Sequence, residues 1–300
     1  MRIIIHEYIG INYVKSIDNL NIMQYNTFNI QEKSQKEKNK MKFLKKLIAA
    51  TAIAAMALCL LAGCSEKPAD ADNKDNQGTK AKLTMATNAA FPPYEYRDGN
   101  DIVGIDAEVA KLIADKLGME LEIADIEFDS IVPGVQQHKY DMGMAGMTVN
   151  EDRLKEVNFT DSYAKGVQVV IVKDGGTVAS LDDIEGKMIG AQQGTTGAIY
   201  AADDYGEDHV TTYSTGNLAV EALKSGKIDC VIIDNEPAKA YVKENEGLKI
   251  LDTEYANEDY AIAIAKDNTE LMEKVNGALR ELIASGELQK IIDKYIPAEG

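Results

Sequence analysis

The sequence predicts an α/β fold, on three observations. From Ala81 onward short β-type runs alternate with amphipathic helical segments. Apolar residues make up 45% of the 300 residues, enough for a substantial core. The turns between the runs carry Gly, Asp, Asn and Pro where α/β connections need them.

The elements follow in order. Lys82 to Thr87 reads as a strand, and Tyr94 to Val103 as a hairpin broken at Asp98-Gly99-Asn100. Asp106 to Leu117 is an amphipathic helix with Val109, Leu112, Ile113 and Leu117 on one face and Gly118 closing it. Met119 to Ala124 is a strand, Ser130 to His138 a short helix, Asp141 to Ala145 a small-residue strand, and Val167 to Val172 an apolar strand. A second module then runs through strands at Lys187–Ala191, Val210–Tyr213 and Asp229–Ile233. Its helices run to about Ala202, over Leu218–Lys224 and over Glu236–Lys243. Leu248–Leu251 and Tyr260–Ala265 are the last strands. The chain ends in two helices separated by Gly286, the first marked by Leu271, Val275, Leu279, Leu282 and Ile283 at helical spacing. There is no internal repeat.

The head of the chain is of another kind. Met41-Lys42-Phe43-Leu44-Lys45-Lys46 precedes an uncharged run from Leu47 to Gly63, as in a secretory signal. The run is shorter than the ~20 residues a spanning helix needs. Its end, Leu61-Ala62-Gly63-Cys64, resembles the lipobox of bacterial lipoproteins, and the resemblance implies cleavage before Cys64, lipidation of that residue and anchorage to the membrane. Residues 64–80 have almost nothing apolar to bury and read as a disordered tether. Residues 1–40 show no folding periodicity. Translation is expected to begin at Met41, since Lys36-Glu37 can be encoded by a purine-rich ribosome-binding sequence; the competing reading is a long basic leader.

Charge and composition exclude several classes. The net charge of −17 falls to −22 once residues 1–63, with nine basic and four acidic groups, are removed. Such a chain repels phosphate backbones, so nucleic acid is not an expected partner. Three cysteines cannot form a disulfide framework, three histidines do not make a metal site, and neither a metal nor a cofactor is expected. Cys230, mid-strand, reads as a buried structural thiol.

Several segments, in order, resemble the bacterial extracellular solute-binding proteins of family 3, which deliver amino acids to ABC importers. They are Ala86-Thr87-Asn88-Ala89-Ala90-Phe91-Pro92-Pro93-Tyr94-Glu95-Tyr96, Val103 to Ala110, Phe128-Asp129-Ser130-Ile131-Val132-Pro133 and Ala145 to Arg153. Val157 to Asp161, Gln193-Gly194-Thr195-Thr196-Gly197 and Ile233 to Ala238 complete the set, which spans about Leu83 to Ile296. The resemblance implies a two-lobed, type II periplasmic-binding-protein-like α/β fold with two hinge crossovers. One lobe would comprise residues 81–166 plus 259–300 and the other residues 167–258. It also implies a receptor that works as a monomer, held at the outer face of the cytoplasmic membrane by its lipid, taking a free amino acid and passing it to ABC permease subunits.

The resemblance implies site residues as well. An α-amino acid needs a cation and donors for its carboxylate, and a carboxylate and carbonyls for its ammonium. Arg153 resembles the family's carboxylate-binding arginine; otherwise it would be a solvated helix charge paired with Glu151 or Asp152. Thr148 would add a hydroxyl, Gly146 a carbonyl toward the ammonium, and Thr196 a second donor to the carboxylate, unless it merely caps a helix. Asp234 resembles the ammonium-binding aspartate, against a simple N-cap. Phe91 and Phe128 would flank the ligand side chain or belong to the core. Asn88 departs from the Asp of many relatives, which leaves basic and polar neutral side chains both open, and Glu95 either adds charge nearby or faces solvent. An enzyme on the same scaffold, of the cyclohexadienyl or arogenate dehydratase type, and a ligand-sensing domain are the rival readings.

Overall fold

A computed structural model of the chain describes residues 80–297. The expected leader, Cys64 and its tether therefore lie outside the described residues.

Strand β1 (Lys82–Thr87) leads through the small three-stranded sheet of β2 (Ala90–Phe91), β3 (Glu95–Asp98) and β4 (Asp101–Val103) into helix α1 (Ile105–Lys116). Then come β5 (Glu120–Asp125), a single 3-10 turn at Phe128–Ser130, α2 (Ile131–Gln136), β6 (Met142–Gly143), α3 (Glu151–Glu156) and β7 (Val157–Phe159). The long strand β8 (Ala164–Lys173) follows, then β9 (Ile189–Gln192), α4 (Thr196–Tyr205), β10 (Val210–Tyr213) and α5 (Gly216–Ser225). The chain continues through β11 (Cys230–Asp234), α6 (Asn235–Glu244), β12 (Leu248–Ile250), β13 (Ala256–Tyr260) and β14 (Ala263–Ala265). Helices α7 (Thr269–Ser285) and α8 (Glu287–Tyr295) end it.

Two larger sheets organise these elements. The first has the order β5-β1-β6-β14-β7 and the second β10-β9-β11-β8-β12, with β13 also on β8. Within the first, β5, β1 and β6 are parallel; in the second, β10, β9 and β11 are. Helices α1 and α7 bury Val109, Ile113, Leu279 and Leu282 with Leu83 and Met85 of β1 in one core cluster. On the other face of the second sheet from Val169, Ile171 and Val231 of that cluster, Val170, Val172, Ile189, Cys230 and Ile232 form another. Cys230 is fully buried, and burial pushes its thiol up to about 12, as expected of a structural cysteine.

The two sheets are joined by β8 and β13. The first half of β8 pairs antiparallel with β13, from Ala164 opposite Tyr260 to Gln168 opposite Ala256. Its second half is clasped between β11 and β12. One strand therefore leads out of the first lobe and the other leads back, side by side.

Most expected elements appear within a few residues of their sequence positions, and three differences matter. The strand expected over Tyr260–Ala265 is two: β13 ends at Tyr260, and β14 starts three residues later. The expectation of an entirely apolar strand over Val167–Val172 fails at Gln168, which is 1% exposed and turns its amide into the site. Ile283, placed by periodicity with the packed face of α7, is exposed, because Ala278 completes that face instead.

Candidate functional site

Between the lobes lies a narrow cavity lined by Asn88, Phe91, Phe128, Gly146, Thr148, Arg153, Thr196 and Asp234. All eight positions singled out in the sequence thus meet at one place. Glu95, Ala145, Gln192 and Thr195 complete the wall.

From the first lobe, α3 presents Arg153. Asn150 caps this helix by accepting from the Arg153 backbone N–H, which aims the side chain inward. Arg153 is 9% exposed, far from the solvated charge it could have been, and Asp152 pairs with Lys155 instead. It donates from Nη1 to the Thr148 carbonyl at 2.7 Å and from Nη2 across the cleft to the Gly194 carbonyl at 3.1 Å. Its Cζ lies over the Phe128 ring, 5.3 Å from the ring centre, so the cation on that ring is the chain's own. Burial lowers the Arg153 pKa to about 10, opposed by nearby Glu258 and Asp234. It stays charged at neutral pH.

Gly146 is required by its backbone. It has φ +51, and a β-carbon there would lie 2.8 Å from Phe91. Its N–H donates to Asp106, which also accepts from the Tyr163 hydroxyl, each at 2.9 Å. Burial raises Asp106 to about 6, and these two donors hold it back from rising further. Beside it Glu95 is 1% exposed with no hydrogen-bond partner of good geometry for either oxygen. Burial, then repulsion from Asp106, holds its carboxyl well above the ordinary range. Glu95 therefore faces the cavity wall and not solvent.

From the second lobe, the turn after β9 bends at Gly194, with φ +76. Thr195 caps α4 by accepting from the Ala198 N–H, which leaves Thr196 free of capping duty and 3% exposed in the cavity. Thr196 Oγ1 lies 3.4 Å from Thr148 Oγ1 across the cleft. Asp234 ends β11 at the N-cap position of α6 yet makes no side-chain capping bond. Its Oδ2 accepts from Gln168 Nε2 at 2.8 Å, and its Oδ1 is buried without a partner. Burial, then Glu258, raises its pKa well above normal.

The lobes are closed on each other. Besides the Arg153 contact, Gln192 Nε2 donates to Asn88 Oδ1 at 2.8 Å and Gln193 Nε2 to Asp129 at 2.6 Å, while the Tyr241 hydroxyl donates to the Ala90 carbonyl at 2.5 Å. Asn88 also donates to the Ile126 carbonyl at 2.8 Å, so its amide is largely engaged within the protein. Sequence reasoning did not find Gln192, Gln168 or Glu258. A single Gln inside a hydrophobic strand was the available signal for Gln168. Glu258 was hidden in Ala-Asn-Glu-Asp-Tyr, a stretch whose polar residues speak against a strand.

Residues 83–298 match the family model of the bacterial extracellular solute-binding proteins, family 3. The chain belongs to that family. It is 34% identical over 250 residues to the arginine-binding extracellular protein ArtP of Bacillus subtilis, covering 81% of this chain and 98% of ArtP. Among solved structures it resembles an ancestral arginine-binding protein bound to arginine, with 40% identity and a TM-score of 0.68 over 73% of this chain and 99% of the other. An ancestral arginine-binding protein bound to glutamine matches with 39% identity and a TM-score of 0.68, over 72% of this chain and 98% of the other. The expected type II binding-protein fold is thus the fold of the family, and the chain is an extracellular solute-binding protein and not an enzyme. Among the described residues no cluster of His, Cys, Asp or Glu is placed to hold a metal, and no helix is long and apolar enough to cross a membrane.

Proposed function

We propose that the chain is a receptor for a basic amino acid, with arginine the preferred ligand, that feeds an ABC permease. One observation carries the choice of a basic side chain. The cavity and its immediate backing hold four buried carboxyl groups, Glu95, Asp106, Asp234 and Glu258, against a single buried cation, Arg153. Buried carboxylates in such excess are costly unless a ligand brings positive charge. The names of the relatives, arginine-binding proteins among them, agree.

In this reading Arg153 and Thr196 receive the ligand carboxylate, and Asp234, the Gly146 carbonyl and Thr148 receive the ammonium. Phe91 and Phe128 flank the side chain, whose charged end meets Glu95 and Asn88. The lobes of residues 81–166 plus 259–300 and of residues 167–258 are the two jaws. Cys64 carries the lipid that holds this monomeric receptor at the outer membrane face. Cys64→Ser releases the protein from the membrane fraction, and retention there would remove the anchor from the account.

The test of the ligand is thermal unfolding of the full-length chain against the twenty amino acids, ornithine and cystine. Saturation at a hundred times Kd adds roughly 2.7 kcal/mol, a shift of about 5–10 °C for a domain of this size. Arginine gives the largest shift and glutamine a smaller one. No shift with any amino acid would overturn the reading.

A further inference from the structure

Glu258 does not line the cavity, yet it bonds to Thr148, which does. It sits on hinge strand β13, opposite Gly166 of β8, and is 7% exposed. Its Oε2 accepts from Thr148 Oγ1 and from Gln168 Nε2, both at 2.9 Å. Gln168 Nε2 also donates to Asp234, so one amide ties the two acids together. Glu258 Oε1 is buried with no hydrogen-bond partner of good geometry, though the Tyr200 hydroxyl is close enough to interact with this carboxyl. Arg153 and Tyr200 are the other polar groups whose charge or dipole it feels.

A threonine hydroxyl has one hydrogen. With that hydrogen directed to Glu258, Thr148 Oγ1 can only accept from anything in the cavity. Its contact with Thr196 is then donated by Thr196 in the unliganded chain, and that one hydrogen turns to the ligand carboxylate when a ligand is held. A hydroxyl held as an acceptor suits an ammonium and repels a carboxylate.

We propose that Glu258 is a positioning residue that makes the site demand an α-ammonium: it holds Thr148 as an acceptor and places a second carboxyl behind Asp234. This rests on the amino-acid reading above and deepens it. Once Arg153 is matched by the ligand carboxylate, Asp234 and the Glu258 carboxyl behind it are left for the ammonium to offset. Closing the lobes around a solute without one would bury both acids with nothing to offset them.

The test compares binding of arginine with binding of its des-amino analogue, 5-guanidinopentanoate, by calorimetry on the full-length chain. Glu258→Met removes the acceptor and the charge at similar shape, and Glu258→Gln removes the charge but keeps an oxygen for Thr148. The unaltered chain prefers arginine. The Met variant loses about ten- to a hundred-fold of that preference, the scale of one charge-assisted hydrogen bond, and the Gln variant loses less. The des-amino analogue binds the two variants at least as well as the unaltered chain, because one uncompensated acid is gone. An unchanged preference in both variants, or a parallel loss for both ligands, overturns the proposal. Loss of the folded circular-dichroism signal in both variants marks Glu258 as a packing residue and overturns it equally. If the unaltered chain binds no amino acid, the functional reading itself fails; intact binding with an unchanged preference removes only the role of Glu258.

Discussion

At the scale of single residues the site is built on carboxyls kept from water, and this sets stability against binding. Glu95 is the plainest case, since neither of its oxygens has a good partner. Its pKa is raised in the folded chain, so the folded state holds its proton more tightly than the unfolded state does. The cost is absent below the unfolded value, grows as pH rises from there, and is complete above the folded one. Glu95→Gln therefore stabilises the chain at pH 7 by roughly 1–3 kcal/mol, seen as a higher Tm, and the gain disappears as pH falls toward 4. The same variant weakens arginine binding about tenfold or more, while glutamine binding changes little. Equal losses for the two ligands would place Glu95 away from the ligand side chain. Arg153→Ala removes amino-acid binding while the far-ultraviolet circular dichroism is retained, because the lost side chain leaves a polar cleft and not a hole in the core. Unchanged affinity in that variant would remove Arg153 from the site.

At the scale of elements the hinge ladder is the part most constrained by packing. A β-carbon on Gly166 would lie 2.2 Å from the Tyr260 hydroxyl, and the Tyr260 ring is fully buried, edge-on to Tyr94 at 5.2 Å. Gly166→Ala must displace that ring, and costs about 1–3 kcal/mol in a denaturant titration. A loss below about 0.5 kcal/mol would mean that β8 and β13 can slide apart freely. The sequence made β8 legible, because Val169, Val170, Ile171 and Val172 form an unmistakable buried run. It hid β13, whose Asn257, Glu258 and Asp259 lack strand propensity and are held there by the β8 ladder. The same contrast explains the site. Arg153, Asp234 and Thr196 sit in recognisable local patterns, at a helix start or a strand end. Gln168 and Glu258 matter only because two strands distant in sequence lie side by side, and no local pattern records that. Asn88 was legible as a lining position, but its bond to Gln192 in the other lobe was not.

At the scale of the whole molecule, pH moves stability and affinity in opposite directions. Glu95, Asp106 and Asp234 all have raised pKa values in the folded chain, that of Asp106 about 6. Protonating them favours the folded state, and it also relieves the self-repulsion of a body with net charge −22. The Tm of the unliganded chain accordingly rises as pH is lowered from 8 to about 5. A basic ligand needs these groups ionised, so its affinity falls over the same interval. Exposed carboxylates paired with cations, such as Asp161 with Arg280, have lowered values and lose their contribution only at more acidic pH. Stability and affinity falling together between pH 8 and 5 would contradict this account.

The paired strands β8 and β13 also limit what the molecule can communicate. Two short connections lying side by side define an axis, and bodies joined along an axis retain one soft rotation while the others are stiff. Ligand occupancy is thereby reduced to a single coordinate, the angle between the lobes. A membrane partner need measure only the separation of two points, one on each lobe, to know whether cargo is aboard, and it need never touch the cargo itself.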